Sequence, residues 1–360
     1  MTISITLAAS LAFHSARKFG GFPDSGLDEK IHGHSFRAKL RQSGNSLFYK
    51  DFKRLEEILA EQIKTLNHRY LNEIIPNPTD WNIAEWVKNN IKSCVDFSVG
   101  IQSTNEQGMD IMNNYHRYSF WRSYQIHAAH YLPNVPRGHK CGRMHGHNFK
   151  ILIHKDIDLT KSRDFPYGSL DEAWMPLDRV LNMQCLNNIP GLENPTSELL
   201  AWWVWNKLQG EIDGIKRVTV YETPTVGAFY DGDQFGIWKQ LSFDSATRFE
   251  AALKGDSKKG IHGYTYNLRL FFRAKLDEIL GWTIDYGDIK EKFHPVFKKI
   301  DHQPLFELDL LEDGDCISVA KWIRNETIKI LPQLSRVEVY EKEGCGVILD
   351  WKNNDLYLPE

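Results

Sequence analysis

Hydrophobic and polar positions change period along this chain in a fixed order, and the order recurs three times. Runs that alternate or stay apolar, as strands do, fall at 36–40, 149–154 and 266–272. Residues 52–66 and 289–300 place apolar side chains at helical spacing. Thr79 and Thr196 stand where N-caps should, before helices predicted at 81–91 and 199–208. Further strands are predicted at 217–221 and 336–340, and the opening stretch 1–13 reads as a first β-strand. A secretory leader is the competing reading of that stretch, but no basic segment precedes it and no convincing cleavage site follows. The period therefore predicts ββααββ for each copy.

Four landmarks keep the copies in step. His32-Gly33-His34, His145-Gly146-His147 and His262-Gly263-Tyr264 come first, followed by Leu66-Asn67-His68, Leu181-Asn182-Met183 and Ile300-Asp301-His302. Ala-x-Trp then begins at Ala84, Ala201 and Ala320, and each copy closes with a segment at 103–108, 222–227 or 341–346. The Trp of each Ala-x-Trp lies on the apolar helix face and is expected in the core. Boundaries near 107–114 and 232–237, where Gly, Asn and Asp accumulate, divide the chain into 1–112, 113–236 and 237–360. Each unit has an ordinary single-domain size.

Composition narrows the function classes. Against 47 acidic side chains the chain has 44 Lys and Arg, a net charge of −3, so the electrostatic footprint of a nucleic-acid binder is missing. No apolar run approaches the ~20 residues of a membrane span. Five cysteines at irregular spacing suit reduced thiols in a cytoplasm better than a disulfide framework.

The middle unit carries candidate metal chemistry. His145 and His147 are two apart on a predicted strand, so both imidazoles project from one face and can reach one ion. An isolated pair of this kind is as readily explained by hydrogen-bonded structural histidines. His130, at the end of the strand predicted at 124–129, adds the third nitrogen of a catalytic zinc site. Cys141 lies four residues before His145, where a metal and flanking cations would lower its thiol pKa.

The segments HAAH (127–130), VPRGHKCGRMHGHNF (135–149), NIPGLENPTSE (188–198) and ETPTVG (222–227) closely resemble 6-carboxytetrahydropterin synthase, the queuosine-pathway member of the 6-pyruvoyltetrahydropterin synthase family. Cys-x3-His-Gly-His is the spacing of the bacterial carboxy enzyme. The resemblance implies an α+β tunnelling fold: three ββααββ units closing into a twelve-stranded antiparallel barrel with helices outside. It implies Zn2+ on His130, His145 and His147, Cys141 as the proton-transferring thiol, and Glu222 as the anchor of a pterin triphosphate. A carboxylate suits that last role because it can accept two hydrogen bonds from the aminopyrimidine edge. Two stacked chains, a homodimer equivalent to the family's hexamer, are also implied. Lys140 and Arg143 are candidates for the triphosphate by position, and equally solvated loop charges.

The chain departs from the family where an Asp-His pair assists the cysteine. The middle unit has Asn182-Met183 there, and only the third unit has the pair intact, as Asp301-His302. The third unit's zinc positions read Thr247, His262 and Tyr264, with Lys258 near the place of the cysteine. In the first unit His32 and His34 remain, but Arg17 replaces the first ligand, Asp28 the cysteine and Ser103 the glutamate. The expectation is one composite site per chain, with Asp301 and His302 completing the zinc site of the middle unit; His68 of the first unit is the competing donor. Conversion of 7,8-dihydroneopterin triphosphate to 6-carboxy-5,6,7,8-tetrahydropterin is the expected reaction. Related 6-pyruvoyltetrahydropterin synthase activity, or a catalytically decayed pterin-binding scaffold, are the alternatives.

Overall fold

A sheet leaves a row of unpaired N–H and C=O groups at each edge, and this chain removes both edges by closing its sheet on itself. The computed structural model describes residues 3–20, 29–93, 95–112, 117–158, 166–252 and 254–351. The first unit contributes β1 (Ser4–Arg17), β2 (His32–Gly44), α1 (Tyr49–Leu66), α2 (Asp80–Asn90), β3 (Ser98–Thr104) and β4 (Gln107–Ile111). The middle unit contributes β5 (Tyr118–His130), β6 (His145–Ile157), α3 (Pro166–Leu181), α4 (Ser197–Leu208), β7 (Ile215–Thr223) and β8 (Val226–Tyr230). In the third stand β9 (Phe235–Thr247), β10 (His262–Arg273), α5 (Tyr286–Ile300), the two-residue β11 (Gln303–Pro304), α6 (Cys316–Thr327), β12 (Leu334–Lys342) and β13 (Cys345–Asp350). Twelve strands follow one another around an antiparallel barrel, closed where β13 pairs with β1 from Ser4↔Asp350 to Ala8↔Gly346. β11 is an appendage, parallel to β9.

The helices cover the outer face. In the middle unit Phe149, Ile151 and Ile153 of β6 meet Leu170, Trp174, Leu177 and Leu181 of α3 and Leu200, Val204 and Leu208 of α4 in one buried cluster. Each such side chain contributes about 1.5–3 kcal/mol by leaving water. Alternate residues point inward, where Trp121, Leu152, Tyr221, Phe229, Trp238 and Phe271 pack together. Buried ion pairs share the interior, Arg41–Asp110 and Arg336–Asp350, both at 2.7 Å. Trp203 and Trp322 of the Ala-x-Trp landmarks are buried and Trp86 packs partly buried against the core, as the helix face predicts.

Thr79 and Thr196 are N-caps, each side chain accepting from the backbone N–H three residues on. The strands run longer than their apolar stretches: β2, β6 and β10 begin at His32, His145 and His262, because pairing with β1, β5 and β9 continues past the helix-covered zone. α3 went unpredicted, since Gly168 and Pro176 interrupt its pattern, although Leu170, Trp174, Leu177 and Leu181 keep helical spacing. Asp28, Cys94 and residues 113–116 of the first expected boundary lie outside the described residues. No described helix is long and apolar enough to cross a membrane.

The closing landmark of each unit has a physical origin at the seams. Gly108 pairs directly with Trp121 across the first seam and Gly227 with Trp238 across the second, each indole lying over the glycine. At the third seam Gly346 meets Ala8. A Cβ on Gly227 would stand 2.4 Å from the Val220 carbonyl oxygen and 2.9 Å from the Trp238 ring. Gly227→Val should therefore cost about 2 kcal/mol or more in chemical denaturation; an unchanged midpoint would show that the seam tolerates a side chain there.

Candidate active site

His130 ends β5 and His145 begins β6, and the two are direct cross-strand partners, with His147 opposite Ala128. Alternation puts all three rings on one face. Their centroids stand 4.5, 5.2 and 5.1 Å apart, and their ligand nitrogens all lie within 4.8 Å of one another. Nδ1 of His130 is 3.0 Å from the Pro195 carbonyl oxygen and Nδ1 of His145 is 2.7 Å from that of Arg143. A carbonyl only accepts, so each Nδ1 carries the proton and each Nε2 keeps its lone pair. Nε2 of His130 and of His147 is buried and makes no hydrogen bond. Burial also pushes the pKa of His130 and His147 down, favouring the neutral form that a metal needs. Three imidazoles facing one point fit zinc or a similar divalent ion with an open fourth position.

The triad opens into a cleft of about 640 Å3 shared by two units. The middle unit supplies Cys141, Lys140, Arg143, Ser197, Glu198 and Glu222, and the third supplies Lys239, Trp282, Asp285 and Tyr286. Glu222 follows the last inward strand position of β7; one carboxylate oxygen accepts from the Ser197 hydroxyl and the other is 3.5 Å from His147 Nε2. Cys141 sits in a single helical turn whose backbone is pinned on both sides, its N–H donating to His139 Nδ1 at 3.2 Å and its carbonyl accepting from Leu132. The lowered thiol pKa expected from the flanking cations is not what the protein groups provide. Burial, then Glu222, push the Cys141 thiol up, and Lys140 only partly opposes them.

The third unit closes the cleft through a loop that carried no motif. Thr196 donates to the Gly281 carbonyl at 2.5 Å, Asn194 to that of Leu280 at 2.8 Å and Asn134 to that of Ile279 at 2.6 Å. Thr283 donates through N–H and hydroxyl to Glu198, and His139 Nε2 is 3.4 Å from an Asp285 oxygen. Tyr286 presents a buried hydroxyl with no hydrogen-bond partner. Trp282, Thr283, Asp285 and Tyr286 of this loop were not expected, because the loop has no counterpart among the repeated landmarks.

Asp301 and His302, expected to complete the middle unit's site within the chain, do not line the cleft, and neither does His68. Asp301 caps the end of α5 and accepts from the Asp244 N–H at 3.1 Å, while the His302 N–H donates to the Asp244 carbonyl at 2.6 Å. His302 stands at φ 54° with its side chain 75% exposed and Nδ1 3.1 Å from Asp301. The same clasp recurs with Asn67 on His14 and Asn182 on His127, followed by His68 and Met183 in the same left-handed conformation. Only an acceptor oxygen is used, so Asn and Asp serve the clasp equally. Asn182 thus keeps a structural duty that its sequence position read as a loss.

The other two junctions are filled from within. In every unit the carbonyl before the second helix's N-cap receives a donor from the end of the unit's first strand: His130 on Pro195, Arg17 on Pro78 at 3.1 Å, Thr247 on Gly314 at 2.9 Å. Arg17 is buried in an ion pair with Asp80, which also accepts from Ser103 and from Tyr167 of the middle unit. Lys258 is 2.9 Å from Glu341, the counterpart of Glu222, and lies 5.1–5.7 Å from the rings of Phe249, Tyr49 and Tyr264. A guanidinium stands where one site would hold its metal, and an ammonium occupies the carboxylate of the other.

Three fused ββααββ units in one barrel, with a histidine triad in a cleft at a unit junction, define a protein of the tunnelling-fold class. The chain belongs to the 6-pyruvoyl tetrahydropterin synthase family, whose model matches residues 6–109, 119–233 and 236–351. It is 35% identical over 118 residues to a 6-carboxy-5,6,7,8-tetrahydropterin synthase of Synechocystis sp., covering 31% of this chain and 90% of the relative. It is 36% identical over 66 residues to a dihydroneopterin monophosphate aldolase of Pyrococcus furiosus, covering 18% of this chain and 58% of the relative. Among solved structures, the Caenorhabditis elegans 6-pyruvoyl tetrahydropterin synthase is 20% identical, with a TM-score of 0.30, covering 32% of this chain and 96% of that one.

The cleft also carries a pH signature. Burial pushes the Glu198 carboxyl up to about 7, so between the ordinary glutamate range and that value the folded state holds a proton the unfolded state has released. Its share of stability is lost as pH rises through this window. Denaturation at pH 5.5 and 8 should show Glu198→Gln flattening the slope; an identical slope in the variant would contradict it.

Proposed function

We propose that the chain is a zinc-dependent pterin synthase that converts 7,8-dihydroneopterin triphosphate and one water to 6-carboxy-5,6,7,8-tetrahydropterin, acetaldehyde and triphosphate, with one working site per chain. The observation that carries this reading is the single described cleft that unites three metal-ready imidazoles, a thiol and a carboxylate. The likeness to the Synechocystis 6-carboxy-5,6,7,8-tetrahydropterin synthase supports the product.

His130, His145 and His147 would hold the ion, which supplies a Lewis acid for the hydroxyls of the substrate side chain. Glu222, held by Ser197, accepts two N–H bonds from the aminopyrimidine edge and fixes the ring. Cys141, in the same cleft, moves the proton at the side-chain carbon. The loop of the third unit excludes water behind the ring.

The Asp301–His302 pair reaches the site from a second chain. Its outward-facing imidazole supports this, as does a set of exposed apolar residues, Ile31, Met144 and Ile261, one before the first histidine of each tripeptide. Such residues suit the face of a C2 dimer, in which each chain lends its pair to the other.

Incubation with 7,8-dihydroneopterin triphosphate should yield the carboxy product by mass spectrometry. Cys141→Ala and His302→Ala should each lose about two or more orders of magnitude. Mixing those two variants should restore about a quarter of wild-type turnover, because half the dimers then hold one complete site of two. No restoration would place the pair's action within one chain. Accumulation of 6-pyruvoyltetrahydropterin, or pterin binding without turnover, would overturn the reaction itself.

A further inference from the structure

The barrel interior holds a second cavity, of about 340 Å3, at the level of the β3–β4 and β12–β13 turns. Arg37, Lys39, Arg41, Lys150 and Arg269 line it, and Glu343 is its one lining carboxylate. Glu343 pairs with Arg37 at 2.8 Å but is 81% exposed, so water and salt screen that pair. The deeper carboxylates are divided between cations. Asp110 is 2.7 Å from Arg41 and also faces Lys39, Asp350 is 2.7 Å from Arg336, and Glu338 lies 3.8 Å from Arg269 and 3.7 Å from Arg336. Lys150 sets its ammonium 5.5 Å from the Tyr221 ring and faces Glu106. Burial, then Arg41, push Lys39 down to about 7.

Neutral donors complete the lining: the amides of Gln102, Asn105, Gln240 and Asn267. The cavity is also reachable. Asn105 and Lys150 line, in addition, an opening of about 1200 Å3 whose wall includes His147 and Glu222. Those two residues face the active cleft on their other side.

We propose that this cavity is an oxyanion site that takes inorganic phosphate or polyphosphate between Arg37, Lys39, Lys150 and Arg269. Guanidinium and ammonium groups converging with amide donors match the several oxygens and delocalised charge of such an ion. The first unit supplies two of the four cations, which gives that unit, closed as a metal site, a share in ligand binding. The inference does not depend on turnover, although a reaction that releases triphosphate beside the opening would provide the ion.

The test is calorimetric titration of the full chain at low ionic strength with inorganic phosphate and, separately, with inorganic triphosphate. Saturable binding of one anion per chain is expected, weakened about tenfold or more by Lys150→Gln and by Lys39→Met. Circular dichroism would check that the buried Lys39→Met variant folds, and Lys150→Gln at the mouth decides the question if it does not. Much tighter binding of triphosphate would identify the leaving group as the source, and equal affinities would identify free phosphate. Binding that survives both variants, or that is lost instead in Lys140→Gln at the outer cleft, would overturn the proposal. So would the absence of saturation with either anion.

Discussion

A twelve-stranded barrel closes only when all three inter-unit seams are satisfied together, since one open seam would expose two strand edges. Each seam is a run of five antiparallel pairs, and each depends on small residues that let the neighbouring strand approach. This requirement holds the three units to one backbone plan. It also creates the junctions, because every seam brings the strand end and second helix of one unit against the first helix of the next. Tyr49, Tyr167 and Tyr286, each at the head of a first helix, are the residues delivered there.

Within that plan side chains have exchanged roles while the hydrogen-bond scheme persists. The carbonyl before the second helix takes a donor from His130, Arg17 or Thr247, and only the histidine leaves a lone pair for a metal. Opposite it, Ser197 donates to Glu222, Cys316 lies 3.4 Å from Glu341, and in the first unit the carboxylate has moved to Asp80 with Ser103 as donor. Each arrangement gives both the carbonyl and the carboxylate a donor, so the fold tolerates all three. Among the described residues, the middle one alone brings three histidine nitrogens together at one point.

Much of this was legible in the sequence because it repeats. The landmarks, the capping threonines, the unit order and the three histidines were visible, since strand alternation determines which residues share a face. Three kinds of fact were hidden. α3 was obscured by Pro176, whose cost is outweighed by four buried apolar side chains on one face. The loop at 279–287 closes the cleft mostly through its backbone carbonyls and N–H groups, which leave little trace in residue identity. The placement of Asp301 and His302 was misread because a structural clasp and a candidate catalytic pair use the same two positions, and only the conformation of the clasp, with φ at 54°, shows the imidazole turned away from the cleft of its own chain.

The central claim is that three copies of one unit retain a single metal centre. Anomalous diffraction at the zinc edge, on protein purified without chelators and supplied with zinc, tests it most directly. One peak per chain is predicted, bonded to His130, His145 and His147, with no peak beside His32 and His34 or beside His262. A peak at either of those other junctions, or none at the triad, would contradict the account.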